Sequence, residues 1–472
     1  MSTALVLFRR DLRLADNPAW SAACTEHAQV LPVFIHSDEG RLWSAGAASR
    51  WWLHHSLAAL DQRLRDAGAR MHLCRGEPLE MLRVLIAGSG ACAVYWNRLY
   101  EPGTIADDTR IKSALQEDGV VVHSHNAALW CEPWQIATQQ GQPYKVFTPY
   151  WRNLRPQLHP TEPLPAPRMP GCCELPCGLP LEALELLPNH PWAGGLDDGW
   201  QPGETGAQEL LEIFGDDAVG AYARARDLPA RHGTSRLSPH LHFGEISPRQ
   251  IHVELDRRAR GTDAKRRPDL EPYLRELGWR EFAHHLLYHF PHTPTENFNP
   301  RFNDFPWAPA DQPRIERWQQ GRTGIPLVDA GMRELWHTGW MHNRVRMVVG
   351  SFLTKNLRQH WQHGARWFWD TLVDADLANN TLGWQWVAGC GADAAPYFRV
   401  FNPVTQAKKF DPDGVYLRRW LPELADAPVA LLHEPWKDEA LLKRAGYPAP
   451  MVDLGQSRRQ ALHAYEQVRH ER

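Results

Sequence analysis

The sequence predicts an α/β N-terminal domain with a doubly wound parallel sheet, joined by a long linker to an all-α C-terminal domain. Three observations carry this. Short apolar runs alternate with helical segments over residues 1–132, Pro and Gly dominate from Thr161 to Gly206, and strand signals nearly vanish beyond. The chain has 472 residues, too many for one compact core, so two domains of unequal size are expected.

The elements follow in chain order. Apolar runs at Leu5–Phe8, Val30–Ile35, Met71–Cys74, Ala91–Trp96 and Val120–Val122 read as strands buried on both faces. Helical spacing at Ala48–Leu64 and Ile105–Glu117 supplies the crossovers of βαβ units. Ligands in such sheets sit at the carboxyl ends of strands, but no GxGxxG follows the first strand, so a dinucleotide fingerprint is absent. Residues 133–206 read as an interdomain linker, with TEPLPAPRMPG and LPNHPWAGGLDDGWQPGETG wrapped on a surface. From residue 207 to 472, helical spacing recurs at Ala207–Phe214, Pro272–Tyr288, Leu327–Trp336 and Arg344–Arg358.

Composition narrows the class. Hydrophobic residues make up 43% and charged residues 23%, as in ordinary globular chains. No run of about twenty apolar residues occurs, so no transmembrane helix is expected. The first residues put an apolar run before the charges, opposite to a signal peptide, and the 8 Cys are too scattered for a disulfide framework. A reducing, cytoplasmic setting is the expectation. Cys172, Cys173 and Cys177 cluster, but no fourth ligand with suitable spacing follows, so no metal site is expected. A net charge of −3 does not announce a nucleic-acid partner, and a local basic face would suffice to bind one. The unusual number is 22 Trp, most of them in the C-terminal half and most of them read as core.

Several segments could carry chemistry. His232–Pro239, HGTSRLSP, combines a flexible Gly, three hydroxyls and an Arg before a helix start, which suits a phosphate. Taken alone, that pattern is more often an ordinary helix cap. In WMHNRVRM, Arg344 and Arg346 point to different sides of a helix, and Asp374 is the candidate inward partner of Arg346, because a buried charge needs one. Glu276, Trp279 and Arg280 fall within one helical turn and would place an acid, a flat face and a cation on one patch, able to hold a base. Arg224, Arg226, Arg231, Arg249, Arg257, Arg258 and Arg260 crowd the same region; such a run is usually a solvated face, and its neighbours here raise the nucleic-acid reading. Trp361, Trp367, Trp369, Trp384 and Trp386 could relay electrons if they approach closely, which spacing alone does not establish.

Together these segments resemble the DNA photolyase and cryptochrome family over almost the whole chain. The likeness rests on LVLFRRDLRLADNPA, YKVFTPYWR, GTSRLSPHLHFGEISPRQ, ELGWREFAHHLL, GWMHNRVRMVVGSFL, DADLANNTLGWQWVAGCGADAAPYFRVFNP and WLPEL. It implies FAD in the helical domain, contacted by Tyr222, Thr234, Ser235, Arg236, Leu237, Ser238, Asn343, Arg346, Asp374, Asp376 and Asn380, with Asn380 facing the flavin N5. It implies light-driven repair of cyclobutane pyrimidine dimers flipped out of DNA. Glu276 would hydrogen-bond the dimer, Trp279 and Trp386 would wall its cavity, and Asn343 and Met347 would line it. Arg226, Arg280, Arg344 and Arg399 would grip the DNA backbone, and Trp384, Trp361 and Trp307 would form an electron relay. Stabilising the dimer anion requires Glu276 to be protonated or to share a proton.

The antenna departs from the class I folate pattern: the chain reads WNRLYEPG where an Asn-Glu pair is expected, and HFPHTPTENFNP where a Cys-Lys pair is expected. GAASRWWLHHSL and NRLYEP are closer to class III photolyases, which bind folate elsewhere. Methenyltetrahydrofolate is favoured slightly over a deazaflavin held by positions such as Arg50 and Glu101. The competing readings are a cryptochrome-type blue-light receptor without repair activity, and a light-independent flavoprotein or nucleotide-binding hydrolase. A monomer with no obligate protein partner is expected.

Overall fold

The computed structural model describes residues 2–37, 43–159, 161–173, 175–176, 178–188, 191–262, 268–394 and 398–470. Cys177 lies outside them; Cys172 and Cys173 are half-buried and in no disulfide. Among the described residues no cluster of three or more His, Cys, Asp or Glu could hold a metal, and no helix is long and apolar enough to cross a membrane.

The N-terminal elements are β1 (Thr3–Phe8), α1 (Pro18–Glu26), β2 (Gln29–His36), α2 (Ala47–Asp66), β3 (His72–Arg75), α3 (Pro78–Ser89), β4 (Ala93–Asn97), α4 (Pro102–Glu117) and β5 (Val121–His125). The strands pair in parallel in the order β3-β2-β1-β4-β5. Strand periodicity explains why helices cover both faces. Ala4, Val6 and Phe8 of β1 pack with Trp20 of α1 and Trp52 and Leu60 of α2. Leu5 and Leu7 point to the other side and pack with Leu82 of α3 and Leu115 of α4. The chain order reverses between β1 and β4, so the crevice at their carboxyl ends, beside Arg9, Arg10 and Arg98, is the switch point.

The linker contributes to the sheet. Gly171–Cys172 forms β6, parallel to β2 at Gln29 and Val30. β3 meets β2 only from Val33 onward, so the first half of β2 has open backbone groups on that side. Gly171 N donates to Ala28 O at 2.9 Å and Cys173 N to Val30 O at 3.1 Å. The surface wrap expected from composition thus completes a ladder, because unpaired backbone groups demand partners.

After β6 the described residues form helices and turns only. Helices Pro326–Thr338, Asn343–Ser351, Trp361–Thr371 and Leu377–Ala388 enclose one apolar core around Trp318, Val345, Phe368 and Trp384. The helix expected through Arg358 leaves α geometry at Ser351 and widens into a π turn, Phe352–Asn356. That turn carries Lys355 inward, where its Nζ donates to Ala388 O at 2.8 Å.

The loop after β1 stitches the halves. Arg13 is buried, and its guanidinium donates to Asp16 O, Gly244 O (2.7 Å) and Ala127 O (2.8 Å). Asp16, at φ 53°, binds Leu164 N, Ser247 and Arg249. Glu204 accepts from Leu14 N at 2.9 Å and Ala15 N at 3.3 Å. Gly244 has φ +66°, and a Cβ there would stand 2.2 Å from Arg10 O. Only glycine permits this approach.

Glu281 is buried in the same seam. It accepts from Trp130 N at 2.9 Å and Cys131 N at 3.4 Å, and its other oxygen, without a hydrogen bond, lies 3.6 Å from Arg280 Nη1. Burial pushes its pKa up to about 8, against the pull of Arg280 and the two backbone donors. A carboxyl raised in the folded state holds its proton after the unfolded chain has lost it. Its ionisation therefore costs stability progressively as pH rises from the ordinary carboxylate range to about 8. Glu281→Gln removes that term. The expected outcome is a melting temperature that gains on wild type between pH 5.5 and 8.5; a gap independent of pH contradicts it.

Candidate functional site

The loop His232–Ser238 lies between a short helix, Tyr222–Ala225, and the helix Ser238–His242. It runs close to the first: a Cβ on Gly233 would be 2.6 Å from Ala225 O. Arg236 sits at φ 54°, with its guanidinium over the rings of Trp200 (4.2 Å) and Trp340 (5.3 Å). Its Nε has no partner, and burial lowers its pKa against the pull of Glu334. Ser235 Oγ accepts from the Tyr273 hydroxyl at 3.0 Å, Tyr273 packs on Tyr222, and Leu237 is fully buried. Thr234 is half-buried beside them.

Asp374 gathers this loop. Its Oδ2 accepts from Ser238 Oγ at 2.6 Å and from Arg346 Nη2 at 2.8 Å, while its Oδ1 is buried without a partner. Arg346 is oriented further by its Nε donating to Met341 O at 2.7 Å. A cation with an open donor, several hydroxyls and an unpaired buried carboxylate oxygen is a set built to meet a polar anionic ligand. The chemistry of this set fits the FAD expected from the sequence.

Asp376 caps the helix Leu377–Ala388, accepting from Asn379 N at 2.9 Å. Its second oxygen faces His242 Nδ1 at 3.4 Å and His284 Nε2 at 3.6 Å. Burial opposes its charge, but His284, His242 and Arg280 outweigh burial and hold it well below the usual carboxylate range. Sequence reasoning missed both histidines; their only signal is the spacing of LHF and WREFAHH around the expected contacts. On the next turn, Asn380 Nδ2 donates to Ala365 O at 3.0 Å, which leaves its Oδ1 as a free-standing acceptor.

The acid, flat face and cation of the helix Glu271–His289 each meet a partner from elsewhere in the chain. Glu276 turns to Arg226 and forms an ion pair with it. Trp279 stacks on Phe147, with ring centroids 3.7 Å apart, so one of its faces is covered. Arg280 points inward, donating to Ala128 O at 2.7 Å, with its side chain 13% exposed. Its guanidinium reaches the domain seam, where it also approaches Leu241 O at 3.5 Å. Arg344 pairs with Asp227 at 2.8 Å. Asn343 is exposed and Met347 half-buried on the helix Asn343–Ser351. Trp386 and Arg399 line one small pocket with Lys355 and Phe401. Burial raises the Glu276 pKa, and Arg226 opposes that rise.

The tryptophans divide by surroundings. Trp384 is buried against Phe368 (4.9 Å) and Trp318 (6.2 Å). A Cβ on Gly364 would lie 2.0 Å from its ring, so that glycine makes room for it. Trp361 is buried, with its Nε1 donating to Asn297 at 2.9 Å. Trp361 and Trp307 both contact His360, at 5.6 and 5.1 Å between ring centroids.

Comparison with known proteins agrees with this geometry. Residues 4–168 match the family model described as DNA photolyase, and residues 273–467 match that of the FAD binding domain of DNA photolyase. A deoxyribodipyrimidine photo-lyase of Agrobacterium fabrum is 45% identical over 98% of this chain and 98% of its own. Cryptochrome-2 of Arabidopsis thaliana is 38% identical over 98% of this chain and 79% of its own. The crystal structure of a bacterial class III photolyase from Agrobacterium tumefaciens superposes with a TM-score of 0.94 at 44% identity, covering 99% of this chain and 98% of the other. The chain belongs to the DNA photolyase family.

Proposed function

We propose that this protein repairs cyclobutane pyrimidine dimers in DNA with light absorbed by FAD. The observation that carries the reading is a half-exposed carboxyl, Glu276, whose burial favours the neutral form, on the domain that supplies the FAD-type set of Arg236, Ser238, Arg346 and Asp374. A signalling photoreceptor without repair is the weaker reading, because the photo-lyase relative is closer in identity and in share of length than the plant cryptochrome.

When bound, reduced FAD supplies an electron to the substrate on absorbing light. The protein's part is placement. Arg236, Ser235 and Ser238 hold the phosphates, and Arg346 is fixed by Asp374 so that its charge stays in one position. Asn380 offers its Oδ1 to a flavin N–H, because its amide nitrogen is already committed to Ala365 O. A flipped-out dimer packs against Trp279 and Trp386, with Asn343 and Met347 beside it. Neutral Glu276 donates to the dimer carbonyl as negative charge develops there, before the ring opens and the electron returns. Trp384, Trp361 and Trp307 would pass electrons inward from an external reductant in solution to restore the reduced state.

We infer a folate-type antenna. Two positions expected to hold a deazaflavin are engaged within the protein: Glu101 with Arg10, and Arg50 Nη1 with Ala45 O at 2.8 Å. A monomer working in the cytoplasm is the matching expectation, and the described cysteines form no disulfide, which suits a reducing compartment.

Illumination of the reduced protein with dimer-containing oligothymidine should restore absorbance at the thymine band, and no recovery would falsify the repair reading. Glu276→Ala should lower the repair yield per photon several-fold; an unchanged yield removes Glu276 from the chemistry. Asp374→Ala strands the Arg346 guanidinium and the Ser238 hydroxyl, at roughly 3–5 kcal/mol for a broken buried pair. The purified variant should therefore lose FAD, read as the ratio of flavin to protein absorbance. Extraction of the pigments should yield a folate besides FAD; a deazaflavin would reverse the antenna assignment.

A further inference from the structure

Two arginines on the substrate side of the helical domain are each held by an acid of the protein itself. Arg226 pairs with Glu276, and Arg344 pairs with Asp227 at 2.8 Å. The four residues are neighbours: Arg226 and Asp227 are consecutive, and Asp227 acts on Glu276 as a second negative charge. The Arg226 and Glu276 side chains are 36% and 32% exposed, so solvent and a large anion can reach the pair. The Arg226 guanidinium lies 5.8 Å from the Tyr222 ring centroid, a flat surface over which it can swing.

Neither pair is a good end state for a protein that meets a polyanion. A phosphate offers arginine two parallel acceptors and a full negative charge, a better partner than a half-buried carboxylate. Removing Arg226 leaves Glu276 with burial and Asp227 acting against its charge, and only Arg275 for it. Without its counter-cation and facing the Asp227 carboxylate, Glu276 is driven towards its neutral form. Glu276 takes the proton, because burial already raises its pKa and Asp227 keeps its ion pair with Arg344. Tyr222 and Tyr273, the other titratable groups facing Glu276, are held neutral by burial.

We propose that Arg226 is a positioning residue that changes partner when DNA binds: its guanidinium leaves Glu276 for a backbone phosphate, and the freed Glu276 carboxylate takes up one proton from water. The acid then meets the lesion as a neutral O–H donor, and no electron moves in the step. The proposal rests on the reading of dimer-containing DNA as substrate. It gives Arg226 a second role: in the free protein it keeps Glu276 ionised and soluble in its half-buried place, and in the complex it releases Glu276 to act. Binding of DNA and arming of the acid become one linked equilibrium.

Calorimetric titration of the FAD-loaded protein with a dimer-containing duplex, in two buffers of different ionisation enthalpy, counts the protons. Wild type should take up close to one proton per complex near pH 7.5, and its affinity should rise as pH falls. Glu276→Gln should bind with no proton uptake at that site and a flat pH profile. Arg226→Met should bind more weakly, again without uptake, because Glu276 is already neutral in the free variant; Arg226→Lys should restore part of both. No uptake by wild type, or undiminished uptake by Glu276→Gln, overturns the exchange. If a variant fails to fold, the wild-type count alone decides. Repair without proton uptake defeats this proposal only, whereas failure to prefer dimer-containing DNA and to repair it defeats the function from which it starts.

Discussion

A buried arginine without a carboxylate holds the two halves of the molecule in register. Arg13 spends its guanidinium on backbone carbonyls from three places: its own loop at Asp16, the segment after β5 at Ala127, and the helical domain at Gly244. Burial lowers its pKa, with Asp16, Asp11 and Glu204 opposing that fall, and the buried charge is satisfied only while all three segments are present. A cation in this position turns assembly into a condition: each segment satisfies the others or none is satisfied. The absent side chain of Gly244 allows the approach that makes the geometry possible.

The same logic operates at the ligand site with the sign reversed. Asp374 is a buried anion that organises Ser238 and Arg346, and its one open oxygen is the place where the protein stops satisfying itself. Asp376 caps a helix with one oxygen and faces two histidines with the other. Charges that are complete define the scaffold, and charges left incomplete define where a ligand belongs.

Much of the fold was legible in the sequence because parallel strands buried on both faces leave unbroken apolar runs, and Leu5–Phe8 and Val30–Ile35 fall inside observed strands. The Arg346–Asp374 pair was legible for a related reason: a buried cation requires a partner nearby. Side-chain direction was not. Helical spacing put Glu276, Trp279 and Arg280 close together, but it carries no record of Phe147, Ala128 or Arg226, the partners from elsewhere in the chain that orient them. Nor could spacing reveal β6, whose cause is the half-open edge of another strand. His242 and His284 stayed hidden because their meaning depends on Asp376, a contact across more than ninety residues.

β6 has a consequence for how the protein is made. Until Gly171 and Cys172 leave the ribosome, the nascent sheet shows bare amide and carbonyl groups along the first half of β2, a template that a strand of another chain could adopt. The segment that closes it is also the tether to the second half of the molecule. Docking it shortens the leash on the helical domain while that domain is still being synthesised, so protection from misassembly and delivery of the second half to its seat are achieved by the same two residues.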